Sequence, residues 1–354
     1  MVRSAMMVTV LGLVALAVAD PASEGIVPKD AELQRVYTGA EFTEGPAAAP
    51  DGTIYFSDIP NAAPGSILRY DPATGKTTVY RKPSGKSNGL AFDASGRLIA
   101  CEGANRGGRR ISVTQPDGTV ETLADRYDGK RFNSPNDLCI DARGRVYFTD
   151  PRYVGDEPRE LPYQSVYRVD PDGTVTRIIA DVEKPNGIGL SPDYKTLYVV
   201  EHNNEQVREP DGRVRPGTKA LYAYSLRDDG TVGARRTVVS FTPRPGIDGI
   251  CVDTEGRIYA ALRDPAAAGI HVYLPSGRRV AFIPTPELPT NCTFGVGSER
   301  DVLYITAGKS LYRIRLNARG WHLFERAGGA AHPVKAKGSV AALFEGLLRS
   351  GGAR

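Results

Sequence analysis

Six oxygen-bearing residues open successive copies of a repeated phrase: Glu44, Asn88, Asn136, Asn186, Asp248 and Asn291. By subtraction, neighbouring openings lie 44, 48, 50, 62 and 43 residues apart. Two of the six are carboxylates and four are amides, with no sulfur and no imidazole. Hard cations take oxygen ligands, so such a set suits Ca²⁺ or a similar ion. Two carboxylates neutralise a divalent charge, and amides fill coordination without adding charge. A second reading stands beside this one. Asn-Gly and Asp-Gly are ordinary turn dipeptides, and turn residues need no further role.

The elements around these residues are short strands. Asn186-Gly187-Ile188-Gly189-Leu190 is followed by a turn, Ser191-Pro192-Asp193, and a β-rich run, Thr196-Leu197-Tyr198-Val199-Val200. After Glu44 come Thr53–Asp58, Ser66–Tyr70 and a run near Thr77–Tyr80, separated by Pro50-Asp51-Gly52 and Asp71-Pro72-Ala73-Thr74-Gly75. One repeat is thus about four antiparallel strands, and the period is that of a β-propeller. The expected fold is all-β, a six-bladed β-propeller. The sixth repeat runs short of strands, so Ala31–Tyr37 is expected to complete it and close the ring. In such a ring the innermost strands line a central channel, and the six opening residues converge at one end of it. The fourth repeat carries an extra loop around Asn203 to Gly217.

A chain of 354 residues is comfortable for one closed repeat array. Its net charge of +4 comes from scattered basic residues, which argues against a nucleic-acid partner. Residues 1–19 read as a signal peptide: Arg3, an apolar run from Ala5 to Val18, and a small-residue cleavage site at Ala17-Val18-Ala19. An exported protein, periplasmic or secreted, is therefore expected, with no membrane association after cleavage. Residues 31–326 form the expected propeller domain and 327–354 an appended tail, in which Val340–Leu348 has the pattern of a short helix. Cys101, Cys139, Cys251 and Cys292 form no C-x-x-C pair, and sequence chooses no disulfide among them. There is no P-loop and no H-E-x-x-H. Of the four histidines, His202 follows a strand and is expected at the channel mouth.

The chain carries Glu44-Gly45-Pro46, Leu98-Ile99-Ala100-Cys101-Glu102, Ser134-Pro135-Asn136-Asp137-Leu138 and Tyr147-Phe148-Thr149-Asp150-Pro151. Lys184-Pro185-Asn186-Gly187-Ile188, Ile247-Asp248-Gly249-Ile250 and Pro289-Thr290-Asn291-Cys292 follow in order. In these phrases the chain resembles the family of gluconolactonase, senescence marker protein (regucalcin) and luciferin-regenerating enzyme, all six-bladed propellers. The resemblance implies one divalent cation in the channel, commonly Ca²⁺, with Zn²⁺, Mg²⁺ and Mn²⁺ as alternatives. The implied ligands are Glu44, Asn136, Asn186 and Asp248. Asn88, Glu102, Asn291 and His202 are expected to face the substrate. One departure is visible: Gly103 to Arg110 lacks the His that often follows Cys-Glu in bacterial members.

The expected activity is metal-dependent hydrolysis of a small-molecule sugar lactone, with Asp248 as general base. A non-catalytic binding propeller and a phosphotriester or ester hydrolase are the alternatives.

Overall fold

The computed structural model describes residues 25–324. The expected signal peptide, the expected tail from 327 and the helix expected within it lie outside the described residues. Six four-stranded antiparallel sheets follow one another along the chain as the blades of a propeller. Their innermost strands are Thr43–Ala48, Ser87–Phe92, Leu138–Ile140, Pro185–Leu190, Ile247–Val252 and Pro289–Phe294. In blades 1 to 5 three later strands complete the sheet in chain order, with a separate two-stranded hairpin intervening in blade 4. Among the described residues blade 6 has only Val302–Ala307 and Ser310–Arg315 after its inner strand, and Gln34–Thr38 pairs antiparallel with the latter as its outermost strand. The expected N-terminal closure is thus present, a few residues later than the sequence pattern suggested.

Side-chain alternation explains why the second strands read as unbroken apolar runs. A strand sends successive side chains to opposite faces. In blade 1, Ile54 and Phe56 face blade 6, in a cluster with Val302 and Tyr304. Tyr55, between them, faces blade 2 and packs near Leu90 and Leu98. Both faces are therefore buried. Six such apolar clusters fill the six gaps between neighbouring blades.

The turns follow local side-chain chemistry. Asp93, Asp141 and Asp253 each accept the N–H groups two and four residues on, and pair with Arg97, Arg145 and Arg257. Gly96, Gly144 and Gly256 sit between at positive φ. The long loop of blade 4 folds into a hairpin of Gln206–Arg208 and Val214–Pro216. A second small hairpin, Arg126–Tyr127 with Lys130–Arg131, follows blade 2. Leu323 packs on the cluster between blades 2 and 3, and Phe324 on that between blades 6 and 1. The segment Trp321–Phe324 thereby spans the channel end away from the inner-strand openings, over a cavity of about 160 Å³.

Candidate active site

The opening residues sit on irregular backbone rather than in turns. Register shifts fall between Glu44 and Ala47, Ser87 and Leu90, Pro185 and Ile188, Ile247 and Ile250, and Pro289 and Asn291. A bulge re-aims a side chain at the end of a strand. The glycines that follow have a steric cause. A Cβ on Gly45 would lie 2.0 Å from the Asn88 carbonyl oxygen, and one on Gly249 would lie 2.0 Å from the Asn291 amide. Gly89 meets Asp137 and Gly187 meets Asp248 in the same way. Each glycine lets the next blade's opening residue approach, so close packing around the ring, not turn formation, selects the Asn-Gly and Asp-Gly pairs.

Glu44, Asn136, Asn186 and Asp248 are buried and line one cleft of about 530 Å³. Asn88 and His202 line it as well. Burial, reinforced by the Asp248 charge, raises the Glu44 carboxyl well above the usual carboxylate range. One Glu44 oxygen accepts the Gly45 N–H at 2.9 Å. Arg263 Nη1 donates to Asp248 Oδ2 at 3.2 Å. Asn186 Nδ2 donates to the Tyr153 hydroxyl at 3.3 Å, and that hydroxyl donates to the His202 carbonyl at 2.9 Å. The Asn186 amide nitrogen is therefore occupied and its carbonyl oxygen is left over. The Asn136 side chain makes no hydrogen bond among the described residues, while its backbone is held by Thr149 and Gly89. His202 Nδ1 faces the Ile247 carbonyl.

These donors fit a hard divalent cation. Two carboxylates share a buried site in which the Asp248 charge disfavours that of Glu44, and the Asn136 and Asn186 amide oxygens take no donor among the described residues. Among the described residues, no group of three or more His, Cys, Asp or Glu side chains is arranged to hold a metal. The candidate set is the mixed one of two acids and two amides.

Two expected substrate-facing residues lie elsewhere. Glu102 ends the second strand of blade 2, buried, 3.0 Å from Arg81 and 2.8 Å from Arg110. Blades 3 and 4 use the same position to hold the loop entering the inner strand. Asp150 accepts the Asn133 and Ser134 N–H groups, and Glu201 those of Glu183 and Lys184. Glu102 is thus a structural carboxylate. Asn291 points into the channel below the cleft, where Nδ2 donates to Asp137 Oδ2 at 3.3 Å and Oδ1 accepts the Cys292 N–H at 2.8 Å. With both ends occupied by neighbours, it binds the ring together.

Three residues in or beneath the site escaped sequence reasoning. Asp137 accepts N–H groups of Leu138 and Ile188 as well as Asn291, joining blades 3, 4 and 6. Burial pushes its carboxyl up to about 7. Its signal was available: Asn136 is followed by Asp where Asn88, Asn186 and Asp248 are followed by Gly. Tyr153 and Arg263 lie beyond strand ends with no repeat partner, and nothing local marks them. The four cysteines are free thiols, with Cys251 Sγ and Cys292 Sγ 3.4 Å apart on neighbouring inner strands.

Comparison with known proteins agrees with this architecture. The chain is similar to a gluconolactonase of Zymomonas mobilis, at 28% identity over 85% of each chain. It is 31% identical to the pentonolactonase XacC of Haloferax volcanii, over 77% of this chain and 83% of that one. A solved gluconolactonase structure from Xanthomonas campestris superposes with a TM-score of 0.71 at 33% identity, covering 85% of this chain and 94% of that chain. The SMP-30/Gluconolactonase/LRE-like region matches residues 42–309. With three quarters of its length in that match, the chain belongs to the SMP-30/gluconolactonase/LRE-like family.

Proposed function

We propose that this protein is a divalent-cation-dependent hydrolase that opens a sugar lactone. The strongest support is the convergence of Glu44, Asn136, Asn186 and Asp248 from four blades on one cleft. Relatives named as gluconolactonase and pentonolactonase favour the same bond. The cleft wall also carries six asparagines: Asn61, Asn88, Asn105, Asn136, Asn186 and Asn204. An amide both donates and accepts, which matches the hydroxyls of a polyol ring.

Glu44, Asn136, Asn186 and Asp248 would hold the cation, with Ca²⁺ the best match to an all-oxygen set. When bound, such a cation supplies Lewis acidity for the lactone carbonyl and for the oxyanion that follows. Asp248 takes a proton from the attacking water as its oxygen adds to the carbonyl carbon. The ring C–O bond then breaks, the proton passes to the departing alkoxide, and a hydroxy acid results. Arg263 fixes the Asp248 carboxylate through Oδ2. Tyr153 fixes the Asn186 amide, and the Asn88 side chain at the wall is placed to bind a substrate hydroxyl.

The test is hydrolysis of glucono-1,5-lactone by metal-stripped protein, with and without Ca²⁺, Zn²⁺, Mg²⁺ or Mn²⁺, alongside calorimetric cation binding. Turnover is expected only with metal. It is expected to be absent in Asp248→Asn, and Glu44→Gln is expected to weaken cation binding first. Wild-type turnover in both variants would refute the site.

A further inference from the structure

Five of the basic residues that look scattered along the chain gather at one place. A cleft of about 640 Å³ on the outer side of blade 2 is walled by Arg81, Arg106, Arg110, Arg126 and Arg131. Its only acidic lining residues are Glu102 and Asp125. Glu102 is consumed by Arg81 and Arg110. Asp125 lies 3.6 Å from Arg126 Nε. Five guanidinium groups against two carboxylates leave a surplus of three positive charges. A third acid, Glu160, takes only the backbone N–H of Arg131 and does not line the cleft.

Donors as well as charge are in surplus. The Arg106 side chain makes no hydrogen bond or ion pair among the described residues. Arg131 donates from Nη2 to the Gly108 carbonyl. Guanidinium groups only donate, so the exposed Arg106 and Arg126 side chains bring donors and no acceptors to the cleft wall. The backbone that presents them is itself unusual. Asn105, Arg106 and Arg109 have φ of 57, 66 and 50°, a left-handed region costly for such residues. Glu157 holds this loop by accepting the Asn105 and Arg106 N–H groups at 3.2 and 2.5 Å.

We propose that this cleft binds a phosphate group, free or esterified to a small molecule. A phosphate brings two negative charges and acceptor oxygens that match the guanidinium fork. The ligand would lie behind the loop whose other side, Gly103 to Asn105, walls the lactone cleft.

The experiment is calorimetric titration of the full-length protein with orthophosphate and, separately, glucose 6-phosphate, in chloride buffer of fixed ionic strength without added metal. Saturable binding is expected. Arg106→Asn with Arg126→Gln should weaken it at least about tenfold, the scale of one lost charge-assisted hydrogen bond. Asn suits the left-handed backbone at 106, and both arginines are exposed, so the thermal midpoint in phosphate-free buffer should not move. Equal affinity for the two probes identifies the bare phosphate group as the ligand, and tighter binding of the ester identifies an ester. Absence of saturable binding by both probes, or unchanged affinity in the variant, overturns the proposal.

Discussion

Asp150→Asn separates the cost of a buried carboxylate from the value of the hydrogen bonds it makes. Asp150 is fully buried, with its two oxygens accepting the Asn133 and Ser134 N–H groups at 2.8 and 2.7 Å. Burial pushes its carboxyl from 3.8 up to about 7, against the opposing pull of those bonds and of Arg109 and Arg152. A raised folded value means that folding takes up a proton between the two. The stabilisation is complete below 3.8 and is lost as pH rises through about 7. Between pH 5 and pH 8 the loss from this group is roughly 3 kcal/mol, at 1.36 kcal/mol per pH unit. Asn does not titrate, so the variant escapes that loss. At pH 5, where Asp150 is itself neutral, the variant is expected to be less stable than wild type by roughly 1–3 kcal/mol, because an amide nitrogen cannot accept a backbone N–H as a carboxyl hydroxyl oxygen can. Urea denaturation of metal-stripped protein at both pH values measures this. The wild type should lose roughly 3 kcal/mol more than the variant between pH 5 and pH 8. Equal losses would refute the assignment, and a larger loss in the variant would reverse its sign.

Two further outcomes are expected. Tyr153→Phe removes the acceptor that occupies Asn186 Nδ2. It should weaken calorimetric cation binding by about 10- to 100-fold, the usual scale for a group that orients a ligand, and unchanged affinity would show that the amide is set by other contacts. Glu102→Gln leaves two arginines facing a neutral amide in a buried pocket. It should cost roughly 3 kcal/mol in urea denaturation, while the folded variant keeps the wild-type KM for lactone; a raised KM would place Glu102 at the substrate after all.

The architecture was legible because a propeller writes itself locally. Each blade is a run of short strands with its own turns, and both faces of the second strand are buried, so apolar runs and Asp-x-x-Gly turns recur with the blade. Closure by the N-terminal strand was legible for a related reason: blade 6 lacked a fourth strand and an unpaired strand preceded blade 1. Repeat position named Glu44, Asn88, Asn136, Asn186, Asp248 and Asn291 together, because it predicts convergence on the channel axis, and the family resemblance implied Glu44, Asn136, Asn186 and Asp248 among them as ligands.

Depth and direction along that axis were not legible. Asn291 occupies the same repeat position as Asn186, but it points below the cleft to Asp137, since the register shift of blade 6 falls between Pro289 and Asn291. Glu102 carries the charge of a site residue, yet it serves as an internal counter-ion, because Arg81 and Arg110 reach it from neighbouring strands. The five arginines of blade 2's outer cleft are spread over 50 residues of chain, from 81 to 131, and only folding brings them together. Sequence determined the repeat, the ring and the oxygen chemistry at its mouth, since these follow from local pattern. Tertiary structure alone decided which polar groups share a space, because that depends on bulges, registers and partners distant in the chain.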